Sequence, residues 1–319
     1  MDIHSRGDVY ALLAQSRHSS DSSVANTAVN TITAQTIHIT AEGGSTDNYA
    51  LYAQSKNTGD AVYNKLTGDE VEIRASSSLH ASALWADGNV GVVTKGYNEI
   101  TGRTVHLTAE GTGYTYGMTA IKGSENRLHG NAAGAELTVT VENDLSHGMH
   151  ATGGSKNLVD GFTNVDITAG VTGSQVGHAM FASSSAENRI TGIGRGTGEV
   201  ELHVADNLRS WGMGSETGGI NTIEQTGAVT LDVAAAGGIQ AAMLATGGGD
   251  KVVNVIREVG DVSLRSLNQA GDAYGMFTDA GGQVMASTNT NASNLIRNAG
   301  EVELDVRGAN AYGMNAAAY

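Results

Sequence analysis

No cysteine and no proline occur among the 319 residues, aromatic side chains make up only 5 %, and charged residues 16 %, against roughly a quarter in an average domain. Without cysteine there are no disulfides, thiolate metal centres or cysteine nucleophiles, though this assigns no compartment. So few rings cannot fill a core, which must come from many small aliphatic contacts. No run of about 18 apolar residues exists to span a bilayer as a helix; the longest apolar region, VAAAGGIQAAMLA at 233–245, is broken by Gly and Gln. The opening, MDIHSRGDVYALLAQS, has neither a basic stretch before an apolar core nor a cleavage site, so it does not read as a secretory signal.

What is present is acidic, small and ordered. Eighteen basic residues against 33 acidic ones leave a net charge of −15, which repels phosphate backbones and anionic head groups. Nucleic acid is therefore not an expected partner, while cationic partners and loosely held divalent cations stay compatible. Hydrophobic residues reach 40 %, glycine numbers 44, and the β-branched and aliphatic residues alternate regularly, which disordered segments lack. The chain reads as folded.

A five-residue element appears ten times: YALLA at 10, YALYA at 49, SALWA at 82, YGMTA at 116, HGMHA at 147, HAMFA at 178, WGMGS at 211, AAMLA at 241, YGMFT at 274 and YGMNA at 312. Its second position is always Gly or Ala. Its third is Leu or Met, the methionines being Met118, Met149, Met180, Met213, Met243, Met276 and Met314. A second element alternates apolar and polar residues, as in TIHIT at 36, EVEIR at 70, TVHLT at 104 and EVELHV at 199, with ELTVTV at 136 fitting in a shifted register. That period of two marks a strand with one buried face. A third element, Asn-x-(Ile/Leu/Val), opens each unit at Asn30, Asn64, Asn98, Asn126, Asn157, Asn188, Asn221, Asn254 and Asn294, with a mean spacing of 33 residues.

Three short strands per unit with Gly-rich links describe an all-β parallel solenoid. One coil cannot bury its inward side chains, but coils stacked ~4.8 Å apart pair each strand with its counterparts and gather equivalent residues into columns. The expectation is one repetitive domain over 1–319 with about ten coils. Ile and Leu should stack in the second strand and Met and Leu in the third, with the asparagines marking a turn. Gly or Ala at position two of the third strand implies a crowded corner or a close backbone. Strict six-residue steps, the mark of left-handed solenoids, are missing, as are Asn-Gly hairpin turns. The longer links after YALLAQS and before Asn294 read as surface excursions. The chain opens on a third strand and stops just after another, so it reads as a fragment cut through the repeat at both ends.

Coils of the form NTI … VxL … AYGMxAxGG, rich in Gly, Asn, Thr and Ala and free of Cys, resemble the passenger regions of bacterial autotransporters, the type V secreted proteins of Gram-negative bacteria. The likeness runs from DVYALLAQS to the end. The family's signal peptide and carboxy-terminal membrane barrel are not in this sequence. The resemblance implies a right-handed parallel β-helix, not itself membrane-embedded, displayed on or released from the cell surface. It further implies work as a structural or adhesive stalk, with a host or cell-surface ligand or lateral self-association as partner. A polysaccharide-active β-helix enzyme and a phage tailspike-like fibre are the competing readings.

Candidate sites are few. His147 and His150 lie three apart, while His38 and His106 fall in the polar middle of second strands with Glu72 between them and Asp166, Glu201 and Glu303 at the same position elsewhere. That column either holds a cation or is an ordinary solvated face. KGSENRLHG and TGGGDKVVN lack the tandem nine-residue Asp spacing of a calcium spine. No GxSxG elbow or His-Glu-x-x-His occurs. No cofactor and no catalytic set is therefore expected. Arg6-Gly7-Asp8 sits in a link before YALLA, as either an adhesive tripeptide or plain turn chemistry. Tyr49, Tyr116, Tyr274 and Tyr312 share one column with His and Trp from other coils. By parity with the Met and Ala positions, these rings are expected to pack in the core or at its corner. Facing outward instead, they would form a stripe on which sugars stack.

Overall fold

The computed structural model describes residues 2–5, 8–16, 27–43, 46–56, 60–88, 95–143, 145–170, 176–205, 208–235, 237–247, 252–279 and 292–317. Among them are 29 strands and no helix. Every pairing is parallel, and the strands fall into three sheets of ten, ten and nine members, each joined to its counterpart one coil away. The first complete coil runs through Thr27–Thr33, Thr36–Gly43 and Asn48–Gln54, and the ninth through Ala292–Arg297, Val302–Arg307 and Asn310–Ala317. The result is a right-handed parallel β-solenoid, about 45 Å long at ~4.8 Å per coil. Nine coils are complete, rather than about ten. Two strands precede them: Asp2–Ser5 pairs with Thr36–Gly43, so the third strand at Val9–Gln15 is not the first element, as the motif alone suggests.

Each sheet takes its name here from its inward residues. The alternating sheet sends Val105, Leu107 and Ala109 inward, directly below Leu137, Val139 and Val141 and then Val165, Ile167 and Ala169, all buried. ELTVTV at 136 lies in line with its neighbours, Val105 opposite Leu137, so no register shift exists. The methionine sheet stacks Leu84, Met118, Met149, Met180, Met213 and Met243, each fully buried. Burying one such side chain stabilises by ~1.5–3 kcal/mol, and the columns repeat that contribution coil after coil.

The asparagines do not mark turns. They sit inside the strands of the asparagine sheet, pointing inward, and from Asn64 to Asn254 they are fully buried. A buried amide is tolerated only when its hydrogen bonds are made, and each of these is. Asn30 Nδ2 donates to Asn64 Oδ1 at 2.8 Å, and the chain continues through every copy to Asn254, whose Nδ2 donates to Asn294 Oδ1 at 2.8 Å. The second N–H of each amide goes to a backbone carbonyl, always at position four of the preceding third strand: Tyr52, Trp85, Thr119, His150, Phe181, Gly214, Leu244 and Phe277 among them. A strand residue thus does the work expected of a turn, tying the corner between two sheets.

Candidate functional site: the ring stripe of the methionine sheet

Position two of the third strand is crowded, as its composition implies. A Cβ added to Gly117 would lie 2.2 Å from Val139 Cγ1, and one on Gly148 2.2 Å from Ile167 Cγ2, both side chains of the alternating sheet across the core. Where the position is Ala, as at Ala50, Ala83, Ala179 and Ala242, it is buried beside the Leu or Met that follows. Positions two and three therefore both face inward, breaking the alternation that a regular strand would keep. The register skips position two: Tyr116 pairs with His147, then Met118 with Met149.

This break overturns the parity reading of the aromatic column. With two consecutive residues turned inward, positions one and four both face outward, and the rings lie outside the core. Trp211, Ala241, Leu244, Tyr274 and Phe277 form a hydrophobic cluster separate from the core one. Two columns of rings run up this face. Tyr10 stacks on Tyr49 at 5.3 Å between centroids, Tyr49 meets Trp85 at 5.1 Å, Trp85 meets Tyr116 at 5.8 Å, and Tyr116 stacks on His147 and His150 at 5.3 Å each. His178 then lies flat against Trp211 at 4.2 Å, and beyond a step filled by Ala241 and Leu244, Tyr274 stacks on Phe277 and Tyr312.

In four coils the two columns compensate in size. Where position one is small, at Ser82 and Ala241, position four carries Trp85 and Leu244; where position four is small, at Thr119 and Gly214, position one carries Tyr116 and Trp211. A Cβ on Gly214 would lie 2.7 Å from the Trp211 ring that covers it. Phe181 was not singled out among the candidate residues; its place three after His178, at position four of the five-residue element, is the sequence signal that finds it.

Three histidines meet in the middle of the stripe. His147 Nδ1 lies 3.0 Å from His178 Nδ1, and His147 stacks on His150 at 5.0 Å. Phe181 packs against all three, closest to His178 at 4.8 Å. His147 is 8 % exposed and His178 4 %. Burial takes all three below the usual histidine range, His150 to about 4 and His178 to about 3, with neighbouring imidazoles adding like-charge repulsion at His147 and His178. At neutral pH the cluster is uncharged. His150 Nδ1, His178 Nε2 and Trp211 Nε1 are buried with no protein hydrogen-bond partner.

Comparison with protein families, with curated proteins and with solved structures finds no match to this chain.

The remaining candidates lie on the other two faces. His38, Glu72, His106, Asp166, Glu201 and Glu303 do share one column of the alternating sheet, and its outer face is exposed at His38 and Glu72, which pair at 2.8 Å. Asp166 and Glu201 of that column, with Glu136 and Glu199 beside them, line an acidic cleft, where burial and then the charge of Glu201 raise the Glu199 pKa. Among the described residues no group of three or more His, Asp or Glu side chains is placed to hold a metal ion. The asparagine sheet carries a ladder of ion pairs outside: Lys65 to Glu99 at 2.8 Å, Lys156 to Glu187 at 3.1 Å, Glu187 to Arg189 at 2.7 Å, and Arg257 to Glu224 at 2.5 Å. Arg6 and Gly7 lie outside the described residues, as do most of the two long links. No helix among the described residues is long and apolar enough to cross a membrane.

Proposed function

We propose that the chain is the β-helical stalk of a secreted cell-surface protein, resembling an autotransporter passenger. The observation that carries this reading is the unbroken register of three parallel sheets, coil after coil, in which the asparagine ladder never misses a rung. Such a stack is a stiff spacer of constant cross-section. Its inward columns change only among small and aliphatic residues and methionine, while its outward columns and links vary in charge, ring and size, the places where a display protein meets a ligand or a neighbouring copy. A surface of net charge −15 keeps many such rods dispersed and away from anionic membranes.

The test is to raise antibodies against the 319-residue chain and label intact cells that make it, with and without protease added outside. Labelling of intact cells that external protease removes supports the stalk reading. Labelling only after lysis overturns it.

A further inference from the structure

We propose that His147, His150 and His178 form an acid-opened seam across the middle of the rod, where protonation drives the imidazoles out of the ring stripe and loosens the methionine sheet locally. The coils at either end stay stacked. This device does not depend on the surface-stalk reading, because it rests on the geometry of one face.

The strands involved are Tyr114–Ile121, Leu145–Thr152, Val176–Ser183 and Arg209–Glu216. Three imidazoles lie within stacking distance of one another or of shared rings, and they bridge the stretch of the stripe from Tyr116 to Trp211: Tyr116 stacks on His147 and His150 at one end, Trp211 on His178 at the other. A charged imidazole cannot stay buried against a second one, since burial penalises the charge and the neighbour repels it. Each must swing towards water, which unstacks Tyr116, Phe181 and Trp211 together.

The surroundings hold little to oppose this. From Tyr114–Ile121 the outward groups are Tyr114, Tyr116, Thr119 and Ile121. From Val176–Ser183 they are Val176, Phe181 and Ser183. From Arg209–Glu216 they are Arg209, Trp211 and Glu216. Arg209 is a further cation. Burial raises Glu216 to about 7, so it is neutral in acid. Lys122, just past the first of these strands, pairs with Asp87 at 3.3 Å, and Asp87 also accepts from Gln54. Among the described residues no free carboxylate answers the new charge.

The sign follows from linkage. The folded-state pKa values of the cluster lie below the ordinary 6.5. Its stabilising contribution is therefore whole above pH 6.5 and drains away as pH falls through about 4 towards 3.

Hydrogen exchange with mass-spectrometric readout, on the 319-residue chain at pH 7.5 and pH 4.0 and corrected for intrinsic rates, tests the seam. The amides of the four strands above are expected to lose protection at least tenfold at pH 4.0 relative to Asn48–Gln54 and Ile239–Thr246 in the same sheet. The triple variant H147F/H150F/H178F keeps the rings and should show no such local loss. Carboxylate protonation elsewhere is common to both proteins. Uniform change along the sheet, or an undiminished local loss in the triple variant, overturns the proposal. If the triple variant does not fold, His178→Phe alone is compared; it removes the Nδ1 contact and one charge, and should cut the local loss at least threefold. An unchanged loss there overturns it equally.

Discussion

Asn157 Nδ2 donates to the His150 carbonyl at 2.8 Å and to Asn188 Oδ1 at 2.9 Å, while its own Oδ1 accepts from Asn126. Removing that one side chain strands three buried polar groups at once, each costing ~1–3 kcal/mol. Asn157→Ala is therefore expected to destabilise by about 4 kcal/mol, whereas Asn30→Ala, in the half-buried first rung, should cost ~1 kcal/mol. Urea midpoints at constant slope measure both. The glycine at position two makes a second residue-scale case. Gly148→Ala places a Cβ 2.2 Å from Ile167 Cγ2 and 2.7 Å from the Ala179 carbonyl, and overpacking of this kind costs ~1–3 kcal/mol. The same measurement should show that loss, and a neutral outcome would mean the two sheets separate more easily than the contacts imply.

At the scale of the strand, one titratable group sets a pH dependence opposite to that of the histidines. Glu216 closes its strand buried, and burial lifts its pKa to about 7, with Arg209 pulling weakly the other way. A raised carboxyl pKa contributes stability that is whole below the ordinary 4.5 and is lost as pH rises through 7. Glu216→Gln, which keeps the shape and removes the titration, is expected to leave stability unchanged at pH 5 and to raise it by ~2 kcal/mol at pH 8. Thermal unfolding of both proteins at the two pH values checks this. Equal stability at pH 8 would place the carboxylate in water. The ion-pair ladder of the asparagine sheet belongs to this scale too, but its cations are more than a third exposed, so it aligns strands more than it stabilises them.

For the molecule as a whole, equivalence between coils is the governing property. Met149 and Met213 are fully buried in the same column two coils apart, while Met314, in the last coil, is 73 % exposed. Met149→Ala and Met213→Ala are expected to destabilise by the same amount, within ~0.5 kcal/mol, and each by ~2–5 kcal/mol. Met314→Ala should cost almost nothing. Stability in such a stack is a sum of coil and interface contributions, so a large difference between the two interior variants would show that the rod is not uniform.

The period of 33 residues, the alternation of the second element and the single Asn-x-(Ile/Leu/Val) signature were enough to read a parallel solenoid, because a repeat that cannot bury its own apolar face must stack. Sequence also placed the crowding at position two, since no residue larger than Ala ever occupies it. What it left open was the direction of the rings. Parity sends Tyr116 to the same side as Met118, and only the packing of Gly117 against Val139 shows two successive residues turned inward and the ring turned out. The asparagines are a parallel case: an Asn every 33 residues is equally compatible with a turn, and only the partner carbonyl at position four, supplied by a different sheet, makes it a buried rung. Both decisions rest on contacts between segments far apart in the chain. Those contacts exist only once the coils have closed, so local pattern determined the strands and the stack while tertiary packing decided which side chains it conceals.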